Sequence, residues 1–413
     1  MSILLLNNAN KNFFIKKYIT LKIEVAYYHN KIYNQTMNKL PNGWQIKTLN
    51  DIASFYSGYT PKKDKLNKNN IGFPYFKISD MNFEYNKKFL KMSKEFTTSN
   101  KFFNKNSIVF PKNGGAIFTN KKRILLQNSV VDLNTAVLTP ILHKINLDFL
   151  FFFFYSIDLG KYVRGSILPT IDMSKIKQIK IPLPPLAIQK QIAEKLDYLF
   201  DKIDKALTFL KENKEYIKKY RLSILKYAFE GKLTPSSKNW MSSTFGECLQ
   251  YEQPTKYIVK STKYNDSYKT PVLTAGKSFI LGYTNETDGI FNQTPVIIFD
   301  DFTTDTKFVD FHFKVKSSAM KILRSNGKAD IKFLYYLMQI IYHRSDTHKR
   351  YWIAEYSKIK IPLPPLETQK EIVSILDKKF KAMDEIERLN NENIENLLLL
   401  KKSLLKEAFS GKL

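Results

Sequence analysis

Apolar residues recur every three or four positions through two long stretches of the chain, one near its middle and one at its end. The first stretch runs from Leu186 to Phe229, and the second steps from Ile372 to Ala408. This spacing places the apolar side chains on one face of a helix, so each stretch predicts a long amphipathic helix. An apolar stripe of this length needs a partner surface, and the other helix is the obvious one.

The residues around each stretch indicate where its helix begins and ends. The same run, KIPLPPL, precedes both stretches, at Lys180–Leu186 and Lys360–Leu366. Proline cannot lie inside a helix, so this run is expected to be extended, with the helix beginning near Leu186. Gly231 and Gly411 are natural helix stops, and each is followed by a lysine that suits the negative end of a helix.

The two stretches belong to a longer repeat. Lys180–Leu233 recurs as Lys360–Leu413 without insertion or deletion, and about half of the aligned residues are identical. A repeat of this kind indicates one structural unit used twice. Two similar units usually pack about a two-fold axis, so we expect an antiparallel coiled coil with pseudo-two-fold symmetry. Asn213 and Asn393 occupy equivalent places in the stripe, where an asparagine either fixes the register from a buried position or lies exposed beside it.

The two inserts in front of the repeats have a different pattern. An aromatic stretch near the end of each insert, beginning at Phe149 and at Phe333, is long enough for a buried helix. The fold class is therefore α+β, with two mixed α/β domains that are each followed by a long helix. Short apolar runs bounded by turn residues predict strands at Ser107–Phe110, Val130–Leu138, Val272–Leu273 and Pro295–Phe299.

These patterns divide the chain into five segments. The inserts begin alike, at Trp44 and Trp240, but differ thoroughly in between, which indicates a shared fold with two specificities. Met37 stands directly before the first insert, so the residues ahead of it are expected to be an over-long translation or a weakly ordered extension. We expect an N-terminal extension, a first insert, a first helical region, a second insert and a second helical region at residues 1–38, 39–179, 180–235, 236–359 and 360–413.

The formal net charge of +28 makes a polyanion the first partner to expect. The first insert carries the largest share of this charge. Lysine and asparagine are abundant while arginine is rare, so a general compositional bias is the alternative explanation. A single cysteine, Cys248, excludes a disulfide framework and a multi-cysteine zinc site, and it fits a reduced thiol in the cytoplasm. The most apolar run, Phe149–Tyr155, is far shorter than the ~20 residues that a bilayer requires.

Loops in both inserts combine basic residues with aromatic and hydroxyl side chains, which suits phosphate contact and hydrogen bonds to base edges. A lysine that is merely solvated is the alternative for any one position. Asp301 is included because a carboxylate can accept from a cytosine amino group, although it could instead cap a strand end. The candidate nucleic-acid contacts are Tyr59, Thr60, Lys62, Lys63, Lys112, Asn113, Asn120, Lys121, Lys122, Arg123, Arg164, Lys260, Lys263, Tyr264, Tyr268, Lys277, Asp301, Thr303, Thr304 and Lys307.

Catalytic signatures are missing from the chain. It has no Gly-rich phosphate loop, no G-x-S-x-G elbow and no H-E-x-x-H pair. Asp300, Asp301 and Lys307 have the residue types of a metal nuclease, but they lack the usual order with acidic residues on separate strands. The sequence therefore favours a non-catalytic chain without a metal site over a metal-dependent nuclease.

The order insert, helix, insert, helix resembles the specificity subunit of type I restriction–modification enzymes. The paired IPLPPL-x-x-Q runs at residues 181–192 and 361–372 are the strongest elements of the resemblance, which covers residues 39–413. Pro41–Trp44 and Ser57-Gly58-x-Thr60-Pro61 support it. The resemblance implies that each insert is a target recognition domain reading one half of a split, asymmetric site in double-stranded DNA.

The same resemblance implies the partners. Two modification subunits would carry S-adenosylmethionine and methylate adenine N6, and restriction subunits would use ATP and Mg²⁺ as motor and nuclease. A recognition subunit for a fused restriction–methylation enzyme is the alternative within this class. The residues expected to dock the modification subunits and to form the helical ruler are Pro182, Pro184, Pro185, Leu186, Gln189, Ile192, Pro362, Pro364, Pro365, Leu366, Gln369 and Ile372.

Overall fold

The computed structural model describes residues 40–165, 167–234, 240–274, 278–341 and 350–413. The expected extension at residues 1–38 lies outside the described residues. The chain divides into two compact units. Unit 1 comprises Met1–Thr208 with Asn393–Leu413, and unit 2 comprises Phe209–Glu392. None of the described helices is long and apolar enough to cross a membrane.

Unit 1 contains a five-stranded sheet in the order β2-β10-β7-β8-β5 and a four-stranded sheet in the order β3-β6-β4-β9. Its strands are β1 (Gln45–Thr48), β2 (Ala53–Ser57), β3 (Leu66–Asn67), β4 (Phe73–Phe76), β5 (Phe89–Leu90), β6 (Glu95–Thr97), β7 (Ile108–Pro111), β8 (Arg123–Leu125), β9 (Val130–Val131), β10 (Thr135–Pro140), β11 (Val163–Arg164), β12 (Thr170–Ile171) and β13 (Lys180–Leu183). Its helices are α1 (Leu49–Ile52), α2 (Leu147–Ser156), α3 (Met173–Lys177) and the first part of α4 (Leu186–Phe229).

Unit 2 contains a four-stranded sheet in the order β15-β21-β18-β19 and a three-stranded sheet in the order β17-β16-β20. Its strands are β14 (Met241–Thr244), β15 (Leu249–Glu252), β16 (Thr270–Leu273), β17 (Ile280–Thr284), β18 (Val296–Asp300), β19 (Thr306–Val309), β20 (Lys314–Val315), β21 (Met320–Ser325) and β22 (Lys360–Leu363). Its helices are α5 (Phe245–Cys248), α6 (Ile331–Met338), α7 (Tyr351–Ala354), the rest of α4 and most of α8 (Leu366–Ala408).

The predicted α+β class is confirmed, and the strand predictions hold with one correction. The run Val130–Leu138 is two strands, β9 and β10, because residues 132–134 form a turn. In that turn the Asp132 carboxylate accepts hydrogen bonds from the Asn134 N–H and the Thr135 hydroxyl. Polar residues that bond to their own backbone interrupt a strand in this way.

The proline-rich runs are extended, as predicted. In unit 1, β13 pairs with β1 in antiparallel register, with Ile181 opposite Lys47. In unit 2, β22 pairs with β14, with Ile361 opposite Ser243. The helices begin directly after the prolines, because a proline inside a helix would remove a backbone donor and clash with the preceding turn.

The aromatic stretches form the buried helices α2 and α6. In unit 1, the ring of Phe154 meets the ring of Phe110 on β7 edge-on, with centroids 4.8 Å apart. In unit 2, the ring centroid of Phe333 lies 5.1 Å from that of Phe229 at the end of α4. Each of these helices packs inside its own unit, which explains why the stretches are apolar on all sides.

Antiparallel helix pairs occur within each unit. In unit 1, the Lys401 ammonium of α8 lies 2.6 Å from the Asp204 carboxylate of α4, and the Lys195 ammonium donates to the carbonyl of Leu413. In unit 2, Arg221 pairs with Asp384, and the Asn213 amide lies 3.4 Å from that of Asn390. In each unit, residue numbers increase along α4 while those of the contacting residues on α8 decrease. The predicted antiparallel pairing is therefore confirmed within each unit.

Asn213 faces the other helix, which was one of the two positions that the sequence allowed for it. Asn213 is half-buried and Asn390 is buried, so their amides face one another in the seam of unit 2. Asn393, its sequence equivalent, is half-buried in unit 1. An amide pair in an apolar seam favours the register that keeps the two amides together.

Candidate nucleic-acid interface

In unit 1, three strand ends meet at the same end of the five-stranded sheet. Strand β10 runs antiparallel to both β2 and β7, with Ala136 opposite Ser57 and Thr135 opposite Pro111. The end of β2, the end of β7 and the start of β10 are therefore neighbours. We call the loops at these ends, residues 57–63, 111–115 and 132–134, together with the described hairpin residues 163–165 and 167–171, the unit 1 edge.

Backbone hydrogen bonds hold these loops together. The N–H of Gly58 donates to the carbonyl of Thr135 at 2.8 Å, and the N–H of Lys112 donates to that of Asn134 at 2.7 Å. The hairpin is joined to the same loops, because the N–H of Gly114 donates to the carbonyl of Pro169 at 2.7 Å. The edge is thus one connected surface.

Steric crowding requires a glycine at position 58 of the Ser57-Gly58-x-Thr60-Pro61 motif. A Cβ atom at Gly58 would lie 2.0 Å from the carbonyl oxygen of Asp132, so only glycine lets the two backbones approach. The motif turns the chain across the start of β10. It leaves Thr60, Lys62 and Lys63 exposed.

The structure brings seven predicted contacts to the unit 1 edge. Arg164 is exposed on the hairpin, while Lys112 and Asn113 are half-buried beside it. The Tyr59 hydroxyl is hydrogen-bonded within the unit to the Ser99 hydroxyl and to the carbonyl of Lys101. This side chain therefore stabilises the loop at residues 57–63. The seven residues are Tyr59, Thr60, Lys62, Lys63, Lys112, Asn113 and Arg164.

The structure removes Lys122 from the candidate contacts. Its side chain is fully buried, and its ammonium donates to the Asn120 amide oxygen and to the carbonyl of Ile157 at 2.6 Å each. Arg123 donates to the carbonyls of Lys122 and Met81, and Lys121 donates to Asn82. Residues 120–123 therefore bond to loops of unit 1. Lys122 is corrected as a contact, whereas the half-buried Asn120, Lys121 and Arg123 stay predictions.

Burial lowers the pKa of Lys122 to about 7, because the ammonium loses its hydration. The unfolded chain keeps its proton up to the usual pKa near 10.5, so between pH 7 and 10.5 unfolding takes up a proton. The unfolding free energy of unit 1 should therefore rise with pH in this window, by on the order of 1 kcal/mol per pH unit. Urea titrations at pH 7, 8 and 9 should show this slope in the parent protein and lose it in Lys122→Met. Parallel pH curves for the two proteins would refute the assignment.

In unit 2, the corresponding strand ends also meet. Asp300 at the end of β18 lies opposite Met320 at the start of β21, and Glu252 at the end of β15 lies opposite Ile322. The loops that follow β15 and β18, residues 253–268 and 301–305, form the unit 2 edge. Lys260, Lys263 and Thr303 are exposed there. Tyr264, Tyr268, Thr304 and Lys307 are half-buried, and Lys277 lies outside the described residues.

An ion pair between the half-buried Glu286 and the buried Lys314 anchors the basic loop of the unit 2 edge. One Glu286 carboxylate oxygen accepts from the N–H groups of Lys260 and Ser261, at 2.9 Å each. The other oxygen lies 3.2 Å from the ammonium of Lys314, which is 2% exposed. This pair was not among the predicted residues, because neither residue lies in a motif and the two are distant along the chain. Lys314 lies on β20 and Glu286 follows β17, and β16 pairs with both strands.

The structure also removes Asp301 from the candidate contacts. Its buried carboxylate accepts from the N–H of Trp352 at 2.9 Å and lies 3.4 Å from the ammonium of Lys321. Asp300 accepts from the N–H groups of Phe302 and Thr303, so Asp300 caps the end of β18, whereas the Asp301 carboxylate bonds to Trp352 on another element. Among the described residues, no group of three or more His, Cys, Asp or Glu side chains could hold a metal ion.

The glutamine of each IPLPPL-x-x-Q run is buried and bonds to two separate elements, and we call this pair of hydrogen bonds the glutamine lock. In unit 1, the Gln189 amide donates to the carbonyl of Pro184 and accepts from the N–H of Asn146, at 2.8 Å each. In unit 2, Gln369 makes the same two bonds, with Pro364 and Asp330. Asn146 and Asp330 cap α2 and α6, so each glutamine ties a proline run to a buried helix.

Gln189→Leu should lower the unfolding free energy of unit 1 by about 2–4 kcal/mol, because it leaves the half-buried N–H of Asn146 and the buried carbonyl of Pro184 without a partner. Urea titration measures the change. The matched control is Gln191→Leu, which makes the same substitution at an exposed position of α4 and should change little. Equal effects of the two variants would show that the lock contributes nothing.

Burial divides the predicted docking residues. Pro184, Gln189, Ile192, Pro364, Gln369 and Ile372 are buried inside their own units, and Pro182 and Pro362 are half-buried. Pro185, Leu186, Pro365 and Leu366, at the starts of α4 and α8, are exposed. The exposed four are therefore the part of the motif that a partner could reach.

A model of the type I restriction modification DNA specificity domain matches residues 41–219 and 237–396. The chain belongs to this family. Each matched range of the specificity chain contains one of the two edges, and each contains the glutamine lock of its own unit.

Individual relatives agree with the family. The specificity subunit of the type I restriction enzyme EcoR124I/EcoR124II from Escherichia coli is 54% identical over 151 residues, which are 33% of this chain and 37% of that protein. The putative specificity subunit MjaX of Methanocaldococcus jannaschii is 25% identical over 440 residues, covering 95% of this chain and 99% of the relative.

Solved structures share the fold. A chain from work on complex assembly and conformational transition of the type I R-M system aligns with a TM-score of 0.72 at 19% identity, covering 91% of this specificity chain and 100% of the other. The HsdS subunit of Thermoanaerobacter tengcongensis aligns with a TM-score of 0.53 at 18% identity, covering 92% and 100%.

Proposed function

We propose that the chain is the non-catalytic, sequence-reading subunit of a type I restriction–modification complex. The observation that carries the proposal is that both units build an edge from three equivalent strand ends, yet present different side chains there. A shared frame with different loops suits two readers of different sequences. The unit 1 edge would read one half of a split, asymmetric DNA site, and the unit 2 edge would read the other half.

The side chains at the two edges suit two kinds of contact. Lys62, Lys63 and Arg164 would neutralise phosphates, which contributes salt-dependent binding that ignores sequence. Thr60 and Asn113 would bond to base edges, and each good base contact contributes about 1–3 kcal/mol of discrimination. In unit 2, Lys260, Lys263 and Lys307 would take the phosphates, with Thr303 and Thr304 on base edges.

The chemistry would come from partners that join this chain in the cytoplasm. Two modification subunits would bring S-adenosylmethionine and methylate one adenine N6 on each strand. They would dock against the exposed starts of α4 and α8, at Pro185–Leu186 and Pro365–Leu366. Restriction subunits with ATP and Mg²⁺ would complete the nuclease. The long helices would set the gap between the half-sites.

The decisive test is co-expression with a modification subunit, followed by genome-wide mapping of N6-methyladenine. We expect a split, asymmetric motif with one modified adenine on each strand. Replacing residues 44–177 with the first insert of another specificity subunit should change one half of the motif and leave the other half intact. If the proteins co-purify but methylate no motif, or if both halves change together, the assignment of one half-site to each edge is wrong.

A further inference from the structure

The hairpin of the unit 1 edge carries an exposed apolar tip. Ile167 is 98% exposed, the highest value for a large hydrophobic side chain among the described residues, and Leu168 beside it is 68% exposed. Single exposed apolar residues are common on protein surfaces, whereas adjacent ones form a small apolar patch that is a candidate contact for a partner. Neither residue belongs to the phosphate or base contacts proposed above.

The base of this hairpin is anchored on two sides. Strand β11 pairs with β12, with Val163 opposite Ile171. The N–H of Ile171 donates to the carbonyl of Lys112 at 2.9 Å, and the N–H of Gly114 donates to that of Pro169. The tip is therefore carried on a base that is hydrogen-bonded to the edge.

A glycine allows the chain to turn at the tip. Gly165 has φ +78°, a left-handed conformation that favours glycine, and a Cβ there would lie 3.2 Å from the carbonyl oxygen of Leu168. Ile167 and Leu168 lie between the paired strands β11 and β12 along the chain.

The charges around the tip are suited to a nucleic acid. Arg164 and Lys161 are exposed next to it, and Lys112 lies at its base. The nearest acidic side chains in the sequence are engaged locally: the Asp158 carboxylate accepts from the N–H of Gly160, and that of Asp172 accepts from the N–H groups of Ser174 and Lys175. Arg164 beside the tip and Lys112 at its base favour a polyanion with an apolar interior as the partner.

Resting on the proposed function, we propose that Ile167 and Leu168 form a wedge that inserts into the duplex and partly unstacks one base step of the half-site bound by unit 1. Proteins that insert leucine or isoleucine between base steps kink the duplex and gain contact surface. Arg164 would hold the neighbouring phosphate while the tip enters. Specificity would then include a preference for a base step that unstacks easily.

The test uses the complex of this chain with its modification subunits and duplexes that contain its methylation motif. 2-Aminopurine is placed singly at each position of the unit 1 half-site except the adenine that is methylated. We expect binding to raise the fluorescence at one step. Ile167→Ser with Leu168→Ser should lose most of that rise, while the conservative pair Ile167→Leu with Leu168→Ile should keep it.

The matched control is Leu142→Ser, which removes a leucine that is 56% exposed, after the end of β10 and away from the edge. It should leave the fluorescence unchanged. Specific binding without a fluorescence rise, or with a rise that the serine pair does not reduce, overturns the wedge and leaves the proposed function standing. If the double serine variant no longer binds the modification subunits but keeps the fluorescence rise, a protein and not DNA covers the tip. Absence of specific binding by the parent complex would overturn both proposals.

Discussion

Asp301→Ala should lower the unfolding free energy of unit 2 by about 3–5 kcal/mol, because it leaves the buried Lys321 ammonium without its counter-charge. The substitution also removes the acceptor for the N–H of Trp352, a residue that is itself buried between Phe299 and Tyr356. Urea titration followed by tryptophan fluorescence measures the effect, since Trp352 lies at the affected contact.

The matched control for this variant is Asp305→Ala, which removes an exposed carboxylate from the same turn. It should change the unfolding free energy by no more than about 0.5 kcal/mol. A loss of stability that is equal in the two variants would show that the Asp301–Lys321 pair is not the cause. Metal-dependent DNA cleavage by the purified chain that disappears in Asp301→Ala would contradict the non-catalytic role and revive the nuclease alternative.

Replacing Lys62, Lys63 and Arg164 together by alanine should weaken DNA binding by on the order of a thousand-fold near 0.1 M salt, if each contacts a phosphate. The plot of log affinity against log salt concentration should become shallower by about 3, or about 1 for each lost contact. The loss should be similar for specific and nonspecific duplexes, because phosphates carry no sequence information. Fluorescence anisotropy across a salt series measures both quantities.

The matched control for the triple variant is Lys47→Ala, Lys105→Ala and Lys144→Ala. These lysines are also exposed in unit 1, but they lie near the start of β2, before β7 and after β10, at the opposite end of the sheet. The control removes the same charge and should leave the salt dependence nearly unchanged. If both variants lose affinity equally, net charge alone attracts the DNA and the unit 1 edge is not the binding surface.

Much of the fold follows from local pattern. The helix predicted to begin near Leu186, after the prolines, is α4, at Leu186–Phe229. The helix stops at Gly231 and Gly411 adopt φ +71° and +73°. These features depend on residues within a few positions of one another, so a single sequence contains the information.

The candidate contacts were harder to predict, because a lysine in a loop has the same local pattern whether it is solvated or buried. Lys62 and Lys122 both occur in lysine pairs beside polar residues, yet Lys62 is exposed and Lys122 is fully buried. The carbonyl of Ile157, which accepts from Lys122, is far away along the chain. No rule based on residue spacing could have predicted that contact.

The repeat, the two long helices, the class of the inserts and the resemblance to a family could all be predicted from the sequence, because they depend on local spacing and on identity between two segments. Packing in three dimensions decides which loops meet at each edge, since strand register joins residues as distant as Ser57 and Ala136. It also decides that Gln189, Gln369, Lys122 and Asp301 act inside the protein, because burial is set by the elements that pack around a side chain.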